Sequence, residues 1–226
     1  LREVKNQAMK VALLLSVILL SSERPGTTDL LRRISRAFQS GKEEELLLSL
    51  REVGEDPSPA LVKLLLRIGV ETPERKIYLA VRRSLCGVRS KRAFKVLENA
   101  ALRSKSFSLR ILSLLCISEI PLKESISLLC DLLQDRNPNI RIQAARALGR
   151  RTEKEAVEGL LSVLPSADRG GGEFSLAVRR SLWRITGKNF RSAADWRKWW
   201  NIVKKSWKPP SEVEVRGRTS LRDSQI

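Results

Sequence analysis

Seven arginines stand at recurring places in this sequence, and their chemistry is recognition of anions. Arg82 and Arg83 fall in LAVRRSL at 79–85, and Arg179 and Arg180 fall in the identical heptapeptide at 176–182. Arg146 holds the matching place in a third segment, and Arg150 and Arg184 follow Arg146 and Arg180 by one helical turn. A guanidinium is planar, always charged and armed with a fork of N–H donors. It grips carboxylate or phosphate through two parallel hydrogen bonds.

Composition narrows the alternatives. The 226 residues hold 43 Lys plus Arg against 25 Asp plus Glu, a formal charge of +18, and no histidine. Without histidine there is no Ser-His-Asp or Cys-His catalysis and no His-ligated metal. Cys86, Cys116 and Cys130 form no CxxC pair and are too few for structural zinc. They read as small buried apolar residues, with one disulfide left open if the chain is exported. Catalytic residues, metal ligands and cofactors are therefore not expected. The charge suits an acidic protein surface, nucleic acid, anionic lipid or cell-wall polymer.

The arginines need elements to hold them, and internal repetition supplies these. One register aligns IYLAVRRSLC (77–86), FSLRILSLLC (107–116), IRIQAARALG (140–149) and FSLAVRRSLW (174–183), at steps of 30, 33 and 34 residues. The first, fifth and ninth columns are apolar: Ile77, Phe107, Ile140 and Phe174, then Val81, Ile111, Ala144 and Val178, then Leu85, Leu115, Leu148 and Leu182. Steps of four place them along one helical stripe. The eighth column is mostly small, with Ser84, Ala147 and Ser181, which lets neighbouring helices approach closely. An apolar helix precedes each copy, over 60–69, 93–102, 125–133 and 156–164, and Pro, Asn and Gly clusters separate them. Pro165 and Gly170–Gly172 form one such cluster, expected to act as a mobile connector. A divergent pair over 29–38 and 43–54 completes about five hairpins. A hairpin buries only one face alone, so stacking is expected.

The two ends differ from the array. Residues 9–22, MKVALLLSVILLSS, join a lysine to a short apolar run and small residues. They match a secretory signal, giving 1–22 as a removable segment with Met9 as a candidate start; the other reading is a buried first helix. The run is short of the roughly 20 residues of a bilayer span, so no stable membrane span is expected. All five tryptophans lie after residue 182. Thr186–Gly187 ends the last repeat helix, and Ser192 with Asp195 forms a capping box for the next. Trp196, Trp199, Trp200, Val203 and Trp207 then make a single apolar stripe. Over 187–208 they form a structural cap on the open end of the array, with Trp183 and Phe190 beneath. Residues 209–226 open on Pro-Pro and read as disordered.

LLCDLLQDRNPNIRIQAARALGR (128–150) resembles a HEAT repeat, through Asp135, Pro138, Ile140, Arg141, Ala144, Ala145, Ala147, Leu148 and Gly149. The resemblance covers roughly 28–186 and is of the PBS-lyase HEAT-like type. It implies an all-α, right-handed α-solenoid of about five HEAT-like hairpins with a C-terminal Trp-rich capping helix. Only this copy keeps both Asp and Arg, so no Asp–Arg ladder is expected. In such arrays second helices line the concave face, which would gather Arg82, Arg83, Arg146, Arg150, Arg179, Arg180 and Arg184 into a basic strip. TGKNF followed by WRKWW is similar to the C-terminal extension of some bacterial exported HEAT-repeat proteins. The function implied is a non-catalytic scaffold for a protein partner with an acidic surface, exported to the periplasm or beyond. The alternative is a nucleic-acid-binding protein similar to the HEAT-like alkylpurine DNA glycosylases. The oligomeric state has no trace in the sequence.

Overall fold

A computed structural model describes residues 26–208, 210 and 211. The expected segment 1–22 lies outside the described residues, as does all of the expected tail 209–226 except residues 210 and 211. Among the described residues there are eleven helices and no strand. No described helix is long and apolar enough to cross a membrane. The chain divides into two compact units between Cys116 and Ile117.

The first unit holds α1 (Thr27–Gln39), α2 (Glu43–Arg51), α3 (Pro59–Glu71), α4 (Arg75–Cys86), α5 (Lys91–Arg103) and α6 (Phe107–Ile117), whose last residue opens the second unit. The second holds α7 (Lys123–Leu132), α8 (Pro138–Leu148), α9 (Lys154–Gly170), α10 (Gly172–Thr186) and α11 (Ala193–Val203). Helix starts follow their caps. The Ser58 hydroxyl accepts from the Leu61 amide before Pro59, Ser90 accepts from Ala93, and the Asn137 side chain accepts from Asn139 before Pro138.

Each unit is built of hairpins in two layers. In the first, α1 packs on α3 and α3 on α5, while α2 packs on α4. In the second, α7, α9 and α11 form one layer in order, while α8 packs on α10. This all-α stacking of like helix on like is the α-solenoid pattern. The Trp-rich helix α11 thus takes the place that the first helix of another hairpin would hold.

The apolar stripe predicts burial well in three of the four copies. Ile77, Val81 and Leu85 are buried, as are Ile140, Ala144 and Leu148, and Val178 and Leu182. The copy in α6 departs. Phe107 is 45% exposed, whereas Leu112, Ser113, Leu114 and Cys116 are buried. FSLRILSLLCI is apolar nearly all round, so its pattern does not select one face.

The connector at Gly170–Gly172 also differs from expectation. Helix α9 continues through Pro165 to Gly170, and Gly171 alone, at φ 62°, joins it to α10. Pro165 withholds one amide from the helix ladder, but the helix continues for five further residues, Ser166 to Gly170. The left-handed backbone at Gly171 is one that side-chain-bearing residues rarely adopt.

Candidate anion-binding groove

The geometry of the groove begins with a close approach of two second helices. A Cβ added at Gly149 would lie 2.4 Å from Ser181 Oγ and 2.9 Å from Ser181 Cα. The buried Ser181 hydroxyl donates to the Ala145 carbonyl oxygen at 2.8 Å. Small residues at Ala145, Ala147, Gly149, Ala177 and Ser181 let α8 and α10 meet this closely. Longer side chains on both helices then line one groove between them, of about 420 Å³.

Four of the seven arginines converge there: Arg146 and Arg150 from the end of α8, and Arg180 and Arg184 from α10. Glu173, Leu176, Ala177 and Ser181 complete the lining. Arg146, Arg150 and Arg180 are exposed, and among the described residues no carboxylate forms an ion pair with them. Arg146 and Arg184 occupy the last turns of their helices, where the carbonyl ends of the helix favour a cation. The lining therefore sets four guanidiniums against one carboxylate, a site suited to anionic groups.

The remaining three of the seven lie elsewhere. Arg82 and Arg83 belong to α4 in the first unit, Arg82 half-buried and Arg83 exposed. Arg179 is committed inside the protein. Its Nε donates to Asp168 Oδ1 at 2.9 Å and its Nη2 to Asp168 Oδ2 at 2.6 Å. Its Nη1 and Nη2 also donate to the carbonyls of Phe190 and Arg191, at 2.9 and 2.8 Å. This corrects its placement in the strip: the guanidinium clips α9, α10 and the lead-in to α11 together.

Two further arginines, outside the seven of the expected strip, also bond to the backbone. Arg151 Nη2 donates to the Ile120 carbonyl at 2.7 Å and to the Ser125 hydroxyl. Arg141 Nη1 donates to the backbone carbonyls of Asp135 and Arg136 and sits 5.4 Å from the Phe174 ring centroid. The Arg141 bond thus runs to the Asp135 main chain, a local clip around the α8 N-terminus.

The tryptophans gather apart from the groove. Phe190 meets Trp196 edge to face at 5.0 Å, Trp196 meets Trp199 at 5.8 Å, and Trp207 closes on Trp200 at 5.4 Å. Trp196 is 1% exposed and Trp200 5%. Trp199, Trp207 and Phe190 are half-buried, as is Trp183 on α10. Ser192 caps α11 by accepting from the Asp195 amide at 3.1 Å, and Asp195 reaches back to the Ser192 hydroxyl instead of to a main-chain amide. The cluster is the expected Trp-rich cap, held on α9.

The three cysteines are not disulfide-bonded to one another: Cys116 is buried, and Cys86 and Cys130 are half-buried. Burial pushes the Cys130 thiol up to about 11, with the charges of Asp131 and Glu155 adding to the shift.

A family described as HEAT repeats matches residues 94–171. No curated protein matches the chain. The matched stretch runs from α5 to the Gly171 joint and includes α8 with Arg146 and Arg150, while α10 follows it. The match supports HEAT-type helical repeats over that stretch.

Proposed function

We propose that the protein is a non-catalytic scaffold of the PBS-lyase HEAT-like type whose groove between α8 and α10 holds an acidic surface of a partner protein. The observation that carries this reading is the convergence of Arg146, Arg150, Arg180 and Arg184 on one groove with Glu173 as its single acid. The paired helices present the guanidiniums on ordered backbone, so the ordering cost of binding falls mainly on the arginine side chains. Arg83 offers a further cation in the first unit.

The test is binding of a fluorescein-labelled oligoglutamate peptide to the full chain across salt concentrations. Reversing charge at Arg146 and Arg180 together should lower its affinity at least tenfold, with the loss shrinking as salt screens the pairs. Unchanged affinity would sink the reading. A DNA duplex in the same assay addresses the glycosylase-like alternative. Tight, steeply salt-dependent duplex binding with release of methylated purine would favour that alternative. The buried Trp196 and Trp200 argue for a scaffold, because base stacking needs open rings.

The setting we propose is an exported bacterial one, on the apolar run at 9–22. Intact-mass measurement of the chain from its native compartment tests this: retention of residues 1–22 would overturn it.

A further inference from the structure

Along α10, the face that lines the groove has a definite order. From the first turn to the last it presents Glu173, then Leu176 with Ala177, then Arg180 with Ser181, then Arg184. Steps of three and four residues keep them on one face. The stripe therefore runs acid, apolar, cation, cation, with Arg146 and Arg150 of α8 lining the same groove. From Glu173 to Arg184 the helix rises about 16 Å. That is the reach of about five residues of extended peptide.

Leu176 is the unusual member. It is 54% exposed inside a lining made largely of charge. The identical heptapeptide repeats the arrangement in the first unit, where Leu79 is 48% exposed one turn before the exposed Arg83. An open leucine one turn from an open arginine is thus built twice from one sequence. A ligand made only of negative charge complements this stripe badly: it leaves Leu176 uncovered and sets an anion against Glu173.

Resting on the reading of the groove as a site for an acidic partner, we propose that it receives a peptide segment of ordered chemistry. The segment carries a basic residue opposite Glu173, an apolar side chain over Leu176 and Ala177, and two carboxylates among Arg180, Arg184, Arg146 and Arg150. The order sets both the direction of the bound segment and its selectivity against uniform polyanions.

Fluorescence anisotropy with the full chain tests this, using a labelled, amidated Lys-Ser-Leu-Ser-Glu-Glu peptide as probe. Replacing the probe's leucine with serine should weaken binding about tenfold, and a Leu176→Ser protein should no longer distinguish the two probes. Replacing the probe's lysine with glutamate should also weaken binding, and Glu173→Lys should restore it. Both substituted side chains are exposed, so the fold is preserved, and circular dichroism checks this. If leucine and serine probes bind equally while both still depend on Arg180, the ordered groove is overturned and the acidic-partner reading stands. If no acidic probe depends on Arg180, that underlying reading falls. An all-glutamate probe binding more tightly than the ordered one would overturn the order alone.

Discussion

The Ser181 hydroxyl donates to the Ala145 carbonyl oxygen across the α8–α10 interface at 2.8 Å, and the Ser84 hydroxyl reaches the Leu50 carbonyl across the α2–α4 interface at 3.4 Å, sharing its proton with the Ala80 carbonyl at 3.2 Å. Both serines occupy the same place in the repeated heptapeptide LAVRRSL. The burial pattern repeats with them. Val81 and Val178, Ser84 and Ser181, and Leu85 and Leu182 are buried, while Leu79 and Leu176, and Arg83 and Arg180, are exposed. One heptapeptide therefore carries a complete rule for a second helix: which side enters the core, which atom ties it to its neighbour, and which arginine it offers outward.

The tightest point of that rule is Gly149. A methyl group there meets Ser181 Oγ, Cβ and Cα within 3 Å, and the Cα cannot swing away as a side-chain tip can. Gly149→Ala should force α8 and α10 apart and cost about 1–3 kcal/mol, the usual range for overpacking. Ser181→Ala keeps the spacing and removes only a buried hydrogen bond, so its cost should be about 1 kcal/mol. Urea unfolding of both variants checks the order; a Gly149→Ala protein as stable as the parent would show that the contact yields easily.

The Arg179–Asp168 pair links stability to the position of the cap. Both side chains are about three-quarters buried, at 26% and 24% exposure, so the pair is screened less than a surface bridge. Asp168 also accepts from the Ser175 hydroxyl at 2.9 Å. Asp168→Ala should cost about 1–3 kcal/mol and loosen the hold of Arg179 on the carbonyls of Phe190 and Arg191. The readout that separates this role from general destabilisation is tryptophan fluorescence in low denaturant. It should shift as the cap loosens, at denaturant concentrations where far-ultraviolet dichroism is still native.

These two sites mark where the sequence was readable and where it was not. Helical periodicity puts Arg146, Arg180 and Arg184 on the side away from the apolar columns once 140–149 and 174–183 are helices, and the resemblance implies that such second helices gather their arginines on one face. Arg179 is next to Arg180 in sequence yet has a different fate, because its partner Asp168 lies across a turn. The length of that turn depends on whether Pro165 ends the helix, and periodicity is silent on that. In α6 the apolar residues surround the axis, so sequence could place the helix but not its buried face. The capping box at Ser192 was plain because its parts sit within one turn.

Burial also predicts how the cap responds to substitution. Trp200 is 5% exposed, and among the described residues its indole N–H finds no acceptor, as with Trp196 and Trp207. Trp200→Ala removes a large packed ring and should cost about 3–5 kcal/mol. Trp200→Phe keeps most of the packing and loses no hydrogen bond, so it should cost less than about 1.5 kcal/mol. Thermal unfolding of the pair measures this. Binding of acidic probes should survive Trp200→Phe, and loss of binding with unchanged melting would make the cluster a ligand site instead of a cap.

Cys130 carries the clearest pH signature. Its thiol sits against α9, where a Cβ added at Gly159 would lie 2.3 Å from its Sγ. Burial first, then the charges of Asp131 and Glu155, raise its pKa from an ordinary 9.0 to about 11. The nucleophile is the thiolate, so at pH 8.5 iodoacetamide should alkylate Cys130 about a hundredfold more slowly in the folded chain than in denaturant. The folded rate should climb about tenfold per pH unit until about pH 11. The same shift couples to stability: below the unfolded value near 9 both states hold the proton and nothing is lost. Above it the unfolded thiol ionises while the folded one does not, so stability falls as pH rises towards about 11. Peptide mapping by mass spectrometry separates Cys130 from Cys86 and Cys116. Equal alkylation of Cys130 in folded and unfolded chains at pH 8.5 would show that α9 does not shield it.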